Sequence, residues 1–214
     1  MKQGGPLIVL FLIFLVHLCV GQEGRRVRGN KLISDTLPKI TVEVDRDFTY
    51  VGRFNFKIRD VAAGERFVFV DAGKDKKVRR LFLAQFEGFL PSNTHTYNYS
   101  FDNAALMNGH NFRQNTWAYS NAASEMENPQ NEGVLTARFL REKGYKIEDE
   151  FMMSRFVTVP DTERRNEMIL YYLENVSTSG RRLSEFYIGD EETQVWREIS
   201  KGLTGRSLKA FRIV

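Results

Sequence analysis

An alternating run of aromatic side chains is the part of this sequence best suited to binding a small molecule. In the segment THTYNYSF, rings alternate with small polar side chains, and the rings belong to His95, Tyr97, Tyr99 and Phe101. Residues two apart on a β-strand point to the same face of a sheet. We therefore expect these four side chains to form one face of a strand that borders the main cavity.

Tyrosine in such a face favours a binding site over a filled core. A buried hydroxyl group without a hydrogen-bond partner costs about 1–3 kcal/mol, whereas small-molecule sites combine an apolar lining with a few polar groups. Residues 111–119 form a second strand candidate, in which Arg113 could bind an acidic group on the ligand. The alternative is a filled core whose hydroxyl groups are satisfied internally. The predicted ligand-binding residues are His95, Tyr97, Tyr99, Phe101, Arg113, Trp117 and Tyr119.

The motifs that usually identify an enzyme are missing. The sequence has no GxSxG elbow, no HExxH pair, no glycine-rich phosphate loop and no EF-hand loop. His95 and His110 are the histidines that remain after the predicted signal, and even beside Asp102 their spacing is wider than that of zinc ligands. We therefore predict no catalytic residue, no metal site and no cofactor, and a non-enzymatic function is favoured.

One carboxylate stands out by its position. Glu87 falls within residues 78–90, a predicted long strand with apolar side chains on both faces. A buried charge needs a partner, so we expect an ion pair with Arg79, Arg80 or an arginine on a neighbouring strand. The alternative is a general acid or base whose pKa is shifted by burial.

The N-terminus has the three parts of a secretory signal. Lys2 gives a positive start, residues 7–20 are apolar apart from one histidine, and small side chains precede a cleavage point before Gln22. We predict a signal peptide over 1–21 and a secreted or periplasmic mature chain. Cleavage removes Cys19, the single cysteine, so the mature chain can form no disulfide. An uncleaved signal anchor and a lipid attached to Cys19 are the alternatives.

The charge distribution argues against nucleic-acid binding. The formal net charge is +4 at pH 7, and the basic pairs lie among acidic residues rather than in one stripe. The one basic cluster falls in residues 22–37, which we predict to be a flexible lead-in, with a tether to anionic surfaces as the alternative. Residues 38–214 are predicted to form a single globular domain without a transmembrane segment.

Hydrophobic periodicity predicts a protein built mainly from strands. Because the strands occur in runs rather than alternating with helices, the predicted class is α+β. It consists of a curved, mainly antiparallel sheet, with a barrel-like form as one option, and one or two packing helices. Helical spacing favours helices at 129–143, the longer one, and at 190–201. Strands are predicted at 50–59, 66–71, 78–90, 94–101, 111–119, 150–159, 166–175, 183–188 and 208–214.

These patterns favour a secreted or periplasmic non-catalytic domain that binds a small apolar or aromatic ligand in a sheet-lined cleft. One alternative is a small secreted hydrolase or isomerase that uses Glu87, Asp102 or His95 in an apolar cleft. Another is a structural or assembly protein of the cell envelope. Asn98 and Asn175 each begin a triplet of the N-glycosylation type.

Overall fold

A computed structural model of the protein describes residues 24–102 and 104–214. The predicted signal peptide lies outside these residues. The helices are α1 (Asn121–Glu127), α2 (Glu132–Glu142) and α3 (Gln194–Ser207). The strands are β1 (Arg25–Arg28), β2 (Lys31–Ser34), β3 (Ile40–Val44), β4 (Thr49–Ile58), β5 (Ala62–Ala72), β6 (Val78–Phe89), β7 (Ala105–Met107), β8 (His110–Ser120), β9 (Glu150–Thr158), β10 (Asn166–Asn175), β11 (Tyr187–Ile188), β12 (Glu191–Glu192) and β13 (Phe211–Ile213).

Seven antiparallel strands form the central sheet, in the order β4-β5-β6-β10-β9-β8-β7. β6 and β10 lie side by side in the middle, and nearly all of their residues are buried. A strand with apolar side chains on both faces must be covered on both sides, because each face of a sheet carries alternate residues. The central position predicted for residues 78–90 is thus confirmed, and the sheet separates two cores.

The first face of the central sheet is covered by a second sheet, in the order β1-β2-β3-β13, and by α3. Phe82 of β6 packs against Phe69 of β5 and against Phe211 near the C-terminus. Trp196 of α3 is fully buried in the same core. Each such side chain stabilises the fold by about 1.5–3 kcal/mol relative to an exposed one.

The N-terminal basic cluster belongs to the second sheet, so the flexible lead-in predicted for 22–37 is wrong for residues 25–34. Leu32 is 1 % exposed in the first core. The guanidinium of Arg25 lies 4.0 Å from the centre of an aromatic ring of β6 and pairs with Glu65. Long basic side chains cover apolar surface with their stems while their charges stay paired. A segment with few apolar residues can therefore be part of a packed layer.

The second face is covered in part by α1 and α2, and in part by residues 94–101, here called the aromatic segment. Leu140 of α2 is fully buried, and the ring of Phe139 lies 5.1 Å from that of Phe54 in β4. Gly52 has a φ of 128° at a bulge in β4, and a Cβ there would lie 3.2 Å from the Phe139 ring. The glycine thus allows both the bulge and the close approach of α2.

Helix α2 ends as the sequence predicts but begins later. Gly144 has a φ of 79°, and the Tyr145 amide donates to the Leu140 carbonyl at 3.0 Å, which is the Schellman ending. The N-cap is Asn131, whose side chain accepts from the Gly133 amide, so residues 128–131 form a turn before the helix. The longest helix is α3 with 14 residues, not α2 with 11.

Two further predictions of secondary structure are wrong, and a third is confirmed with different bounds. The aromatic segment is extended but belongs to no strand, because its main chain bonds to the loop between β9 and β10. Residues 183–188 contain a 3-10 turn before β11. The helix predicted at 190–201 is α3, which begins at Gln194 because the Thr193 side chain caps it.

The antiparallel α+β class is confirmed, with 46 % of the chain in strands and 21 % in helices. The central sheet is open, with β4 and β7 as its edges, and the described residues form no closed barrel. None of the helices in this part of the chain is both long and apolar enough to cross a membrane.

Candidate functional site

A cavity of about 190 Å³ lies between the second face of the central sheet and helices α1 and α2. Leu83, Met153 and Leu173 of the sheet and Ala137 of α2 are among its apolar lining residues. An engineered apolar cavity of about 150 Å³ binds benzene. The cavity therefore has the volume for a ligand built on a single ring.

One end of the cavity presents an acceptor atom without a partner. Asn121 is 4 % exposed, and its Oδ1 atom is buried with no hydrogen bond to any described residue. A Cβ atom on Gly133 would lie 3.6 Å from Tyr119 Oη and 3.7 Å from Asn121 Oδ1. These two oxygen atoms thus flank the same space at the N-terminus of α2. A ligand that donates a hydrogen bond would satisfy the buried acceptor.

Two tyrosine hydroxyl groups complete the polar part of the lining. Tyr119 and Tyr171 both line the cavity, and neither side chain has a hydrogen-bond partner among the described residues. Burial raises the pKa of Tyr119 to about 12 and also raises the pKa of Tyr171. Both groups therefore stay protonated near neutral pH and can donate to an acceptor on a ligand.

A buried arginine holds α2 against the sheet beside the cavity. Arg66 of β5 is 2 % exposed, and its Nε atom donates to Gln85 Oε1. Its Nη1 atom donates to the Glu132 carbonyl at 2.7 Å and to Thr136 Oγ1 at 2.6 Å. Its Nη2 atom lies 3.4 Å from Glu132 Oε2. The Arg66 charge is thus used inside the protein, where it fixes the first turn of α2.

Two of the seven predicted ligand-binding residues, Trp117 and Tyr119, line this cavity. His95, Tyr97, Tyr99, Phe101 and Arg113 are not among its lining residues. The predicted alternation of buried and exposed side chains nevertheless holds over residues 96–101. Tyr97 is buried and Tyr99 and Phe101 are half-buried, whereas residues 96, 98 and 100 are exposed.

Tyr97 has the surroundings of a core residue. Its amide donates to the Arg164 carbonyl at 2.7 Å, and Arg164 Nε donates back to the Tyr97 carbonyl at 2.7 Å. The ring lies 4.4 Å from that of Phe89, and Tyr97 Oη donates to Glu87 Oε2 at 3.4 Å. His95 is exposed beside the same phenylalanine. At Tyr97 the structure therefore matches the alternative of a satisfied internal hydroxyl.

Two arginines lie close to the ring of Tyr99. The guanidinium carbons of Arg113 and Arg155 are 5.7 and 5.6 Å from the centre of its ring, and Phe101 packs edge-on against it. Arg155 Nη2 donates to Tyr99 Oη at 3.2 Å, whereas the buried Arg155 Nε has no partner. Neither arginine forms a salt bridge within the described residues. The second face thus carries two cations without a bonded carboxylate.

Two carboxyl groups face each other close to the aromatic segment. Glu87 of β6 and Glu167 of β10 are directly paired across the strands and are 8 % and 4 % exposed. Burial, with the charges of Glu132 and Glu167, raises the pKa of Glu87 to about 8. Burial also raises the pKa of Glu167, although Arg155 acts in the opposite direction. Below this pKa Glu87 is a neutral acid.

The ion pair predicted between Glu87 and an arginine is wrong. Arg79 and Arg80 lie at the other end of β6 and pair with Asp71. Glu87 instead accepts hydrogen bonds from an amide side chain, Gln85 Nε2, and from a phenol group. Its charge is avoided by protonation rather than balanced by a cation.

The remaining candidate residues lie apart from the cavity lining. His110 is half-buried at the start of β8, and Asp102 accepts a hydrogen bond from Ser100 Oγ. Over the ranges 24–102 and 104–214, no three His, Cys, Asp or Glu side chains come together as a set of metal ligands. Asn98 is exposed, whereas Asn175 is 3 % exposed and donates to the Val78 carbonyl at 2.8 Å. Of the two N-glycosylation triplets, only the first is accessible in the folded protein.

Sequence reasoning missed the polar residues that distinguish the cavity. Arg66 and Tyr171 sit inside apolar strand segments, where their polar atoms carry no separate signal. Asn121 lies two residues after the strand predicted at 111–119 and could have been read as the first residue of a helix. The pairing of Glu87 with Glu167 depends on strand register, which sequence periodicity does not specify.

The cavity is therefore an apolar, ring-sized space with one buried acceptor and two phenol donors. Arg113 and Arg155, which form no salt bridge with a described residue, lie on the same face of the sheet. The chain matches no protein-family model, no curated protein and no solved structure.

Proposed function

We propose that this chain is an exported, non-catalytic domain that binds a small apolar or aromatic molecule in the cavity beneath α2. Export rests on the pattern of the N-terminal sequence, which has a positive start, an apolar run and small residues before Gln22. Binding rests on the cavity, whose lining combines apolar side chains with a few polar groups as small-molecule sites do.

The observation that carries the proposal is the Asn121 Oδ1 atom. A buried acceptor without a partner costs about 1–3 kcal/mol, and this one lies at the cavity lining. A ligand hydroxyl group would remove that cost by donating to Asn121 and would accept a hydrogen bond from Tyr119 or Tyr171. A phenol or an aromatic alcohol has both the ring and the hydroxyl group.

A non-catalytic function is favoured over a hydrolase or isomerase by the position of the candidate acids and bases. Glu87, Asp102 and His95 are absent from the cavity lining. The titratable groups that do line it are either engaged with each other, as Arg66 and Glu132 are, or tyrosines with a raised pKa.

The direct test is calorimetric titration with 4-propylphenol. We expect a Kd on the order of 0.1 mM, which is about −5.5 kcal/mol, or about 0.5 kcal/mol for each non-hydrogen atom. Ala137→Phe fills the cavity and should abolish binding. Ala105→Phe makes the same change at an exposed position of β7 and should leave binding unchanged. Equal binding to both variants, or no binding to the unaltered protein, contradicts the proposal.

A further inference from the structure

Arg155 forms no salt bridge with a carboxylate of the described residues. Its side chain is half-buried, its Nε atom is buried without a partner, and its one hydrogen bond goes to the neutral hydroxyl of Tyr99. A buried or half-buried charge is normally paired, because taking it out of water is costly. The hydrogen-bonding capacity of this guanidinium is therefore incompletely used.

The charge of Glu167 acts on Arg155 without a salt bridge between the two side chains. Burial lowers the pKa of Arg155, but Tyr171, Tyr99 and Glu167 outweigh this effect, so the group stays charged. Glu167 faces Glu87 across the sheet and forms no salt bridge with Arg155 among the described contacts. Arg113, on the neighbouring strand, places a second positive charge 5.7 Å from the centre of the Tyr99 ring.

Arg155 lies one step beyond the cavity lining on the same face of the sheet. Phe151 and Met153 of β9 line the cavity, and Arg155 is the next residue of that strand with the same orientation. Alternate residues of a strand are about 6.6 Å apart, so a ligand over Met153 is within a short chain length of the guanidinium. Trp117, which pairs with Met153, lines the cavity at this point.

We propose that the ligand of the cavity is a hydroxyaryl carboxylic acid, with its ring in the cavity, its hydroxyl group on Asn121 Oδ1 and its carboxylate on Arg155 and Arg113. This inference rests on the proposed function of the cavity. Asn121 follows the strand residue Tyr119, which pairs with Phe151, so it lies at the end of the cavity opposite Arg155. The proposed ligand is therefore a linear molecule with its two polar groups at opposite ends of a ring. Arginine is suited to the acid because its planar fork binds both carboxylate oxygens.

Three probes that differ by one group each test the assignment. 3-(4-Hydroxyphenyl)propionate carries both polar groups, 3-phenylpropionate lacks the hydroxyl, and 4-propylphenol lacks the acid. Their affinities are compared in the unaltered protein, in Arg155→Gln and in Arg113→Gln. Arg113 is exposed and donates no hydrogen bond to another described residue, so its replacement preserves folding even if that of Arg155 does not. Arg46→Gln, at an exposed arginine between β3 and β4, is the matched control.

The expected result is that the hydroxyaryl acid binds at least tenfold more tightly than 4-propylphenol, since charge-assisted hydrogen bonds contribute more than neutral ones. Both arginine variants should lose most of this preference, whereas Arg46→Gln should keep it. The affinity for 4-propylphenol should be the same in all of these proteins. Raising the salt concentration should reduce the preference as well. Equal affinities for acid and phenol overturn the acid assignment while leaving the cavity as a site. Failure of all three probes to bind overturns the proposed function itself, and the acid assignment with it.

Discussion

Replacing Glu87 by glutamine should make the protein more stable in alkaline solution. Glu87 has a pKa of about 8 in the folded protein, against 4.5 for an ordinary glutamate, chiefly because it is buried. The unfolded chain therefore gives up this proton before the folded protein does. The stability that the protonated form supports is present below pH 4.5 and is lost as the pH rises towards 8.

The size of the effect follows from the two pKa values. A difference of 3.5 pH units corresponds to about 4–5 kcal/mol, at 1.36 kcal/mol for each unit. Glutamine resembles the neutral acid, because its oxygen can still accept from Gln85 and its amide can donate to Glu167. The variant should therefore not lose this stability as the pH rises. The difference between its free energy of unfolding and that of the unaltered protein should increase by on the order of 4 kcal/mol between pH 5 and pH 8.5.

Urea unfolding at pH 5, 7 and 8.5 measures this difference. Subtracting the free energies of unfolding of the two proteins gives the contribution of Glu87 together with its effect on the pKa of Glu167, the buried carboxyl group paired with it. Glu142→Gln, at an exposed position of α2, removes the same charge without burial and should show no such trend. A constant difference between Glu87→Gln and the unaltered protein across this range would refute the reasoning, since it would show that Glu87 is already ionised at pH 5.

Four further outcomes are expected. Asn121→Ala should weaken binding of 4-propylphenol about tenfold while leaving the melting temperature unchanged or higher, because it removes a buried acceptor that has no partner; a clear loss of stability by calorimetry would contradict this. Leu32→Ala should cost about 2–5 kcal/mol in urea unfolding, as for a core leucine and unlike a residue in a flexible lead-in. Tyr97→Phe should lower the free energy of unfolding at pH 6 by about 1 kcal/mol through the lost bond to Glu87 without altering ligand affinity in the same titration. N-terminal sequencing of exported protein should begin within a few residues of Gln22, and an intact Met1 in a membrane fraction would count against a cleaved signal.

The strands that the sequence predicts well are those with a strong local pattern. β6 and β10 are continuous apolar runs between clear turns, and their positions need no knowledge of the partners. The ending of α2 at Gly144 is similarly local, because only the last turn and the residue after it determine it. The class of the fold follows from such elements and from their order along the chain.

Elements that depend on distant partners were not predictable in this way. β1 and β2 are stabilised by pairing with β3 and by contacts with the central sheet, so their polar composition misled the sequence interpretation. The aromatic segment has the alternation of a strand, but the loop after β9 takes its main-chain hydrogen bonds. For the candidate site, sequence patterns identified Trp117 and Tyr119. Asn121 and Arg155 are notable because each has a buried polar atom without a hydrogen-bond partner, which only the packed structure shows.

The second sheet joins the two ends of the chain, and this sets the order in which the protein can fold. β13, at the C-terminus, pairs with β3, and the amide of Val214 donates to the Thr41 carbonyl at 3.0 Å. The second sheet is therefore incomplete until β13 pairs with β3, and contacts between such distant residues make folding slow. Until β13 pairs with it, β3 has no hydrogen-bonded strand along the edge opposite β2.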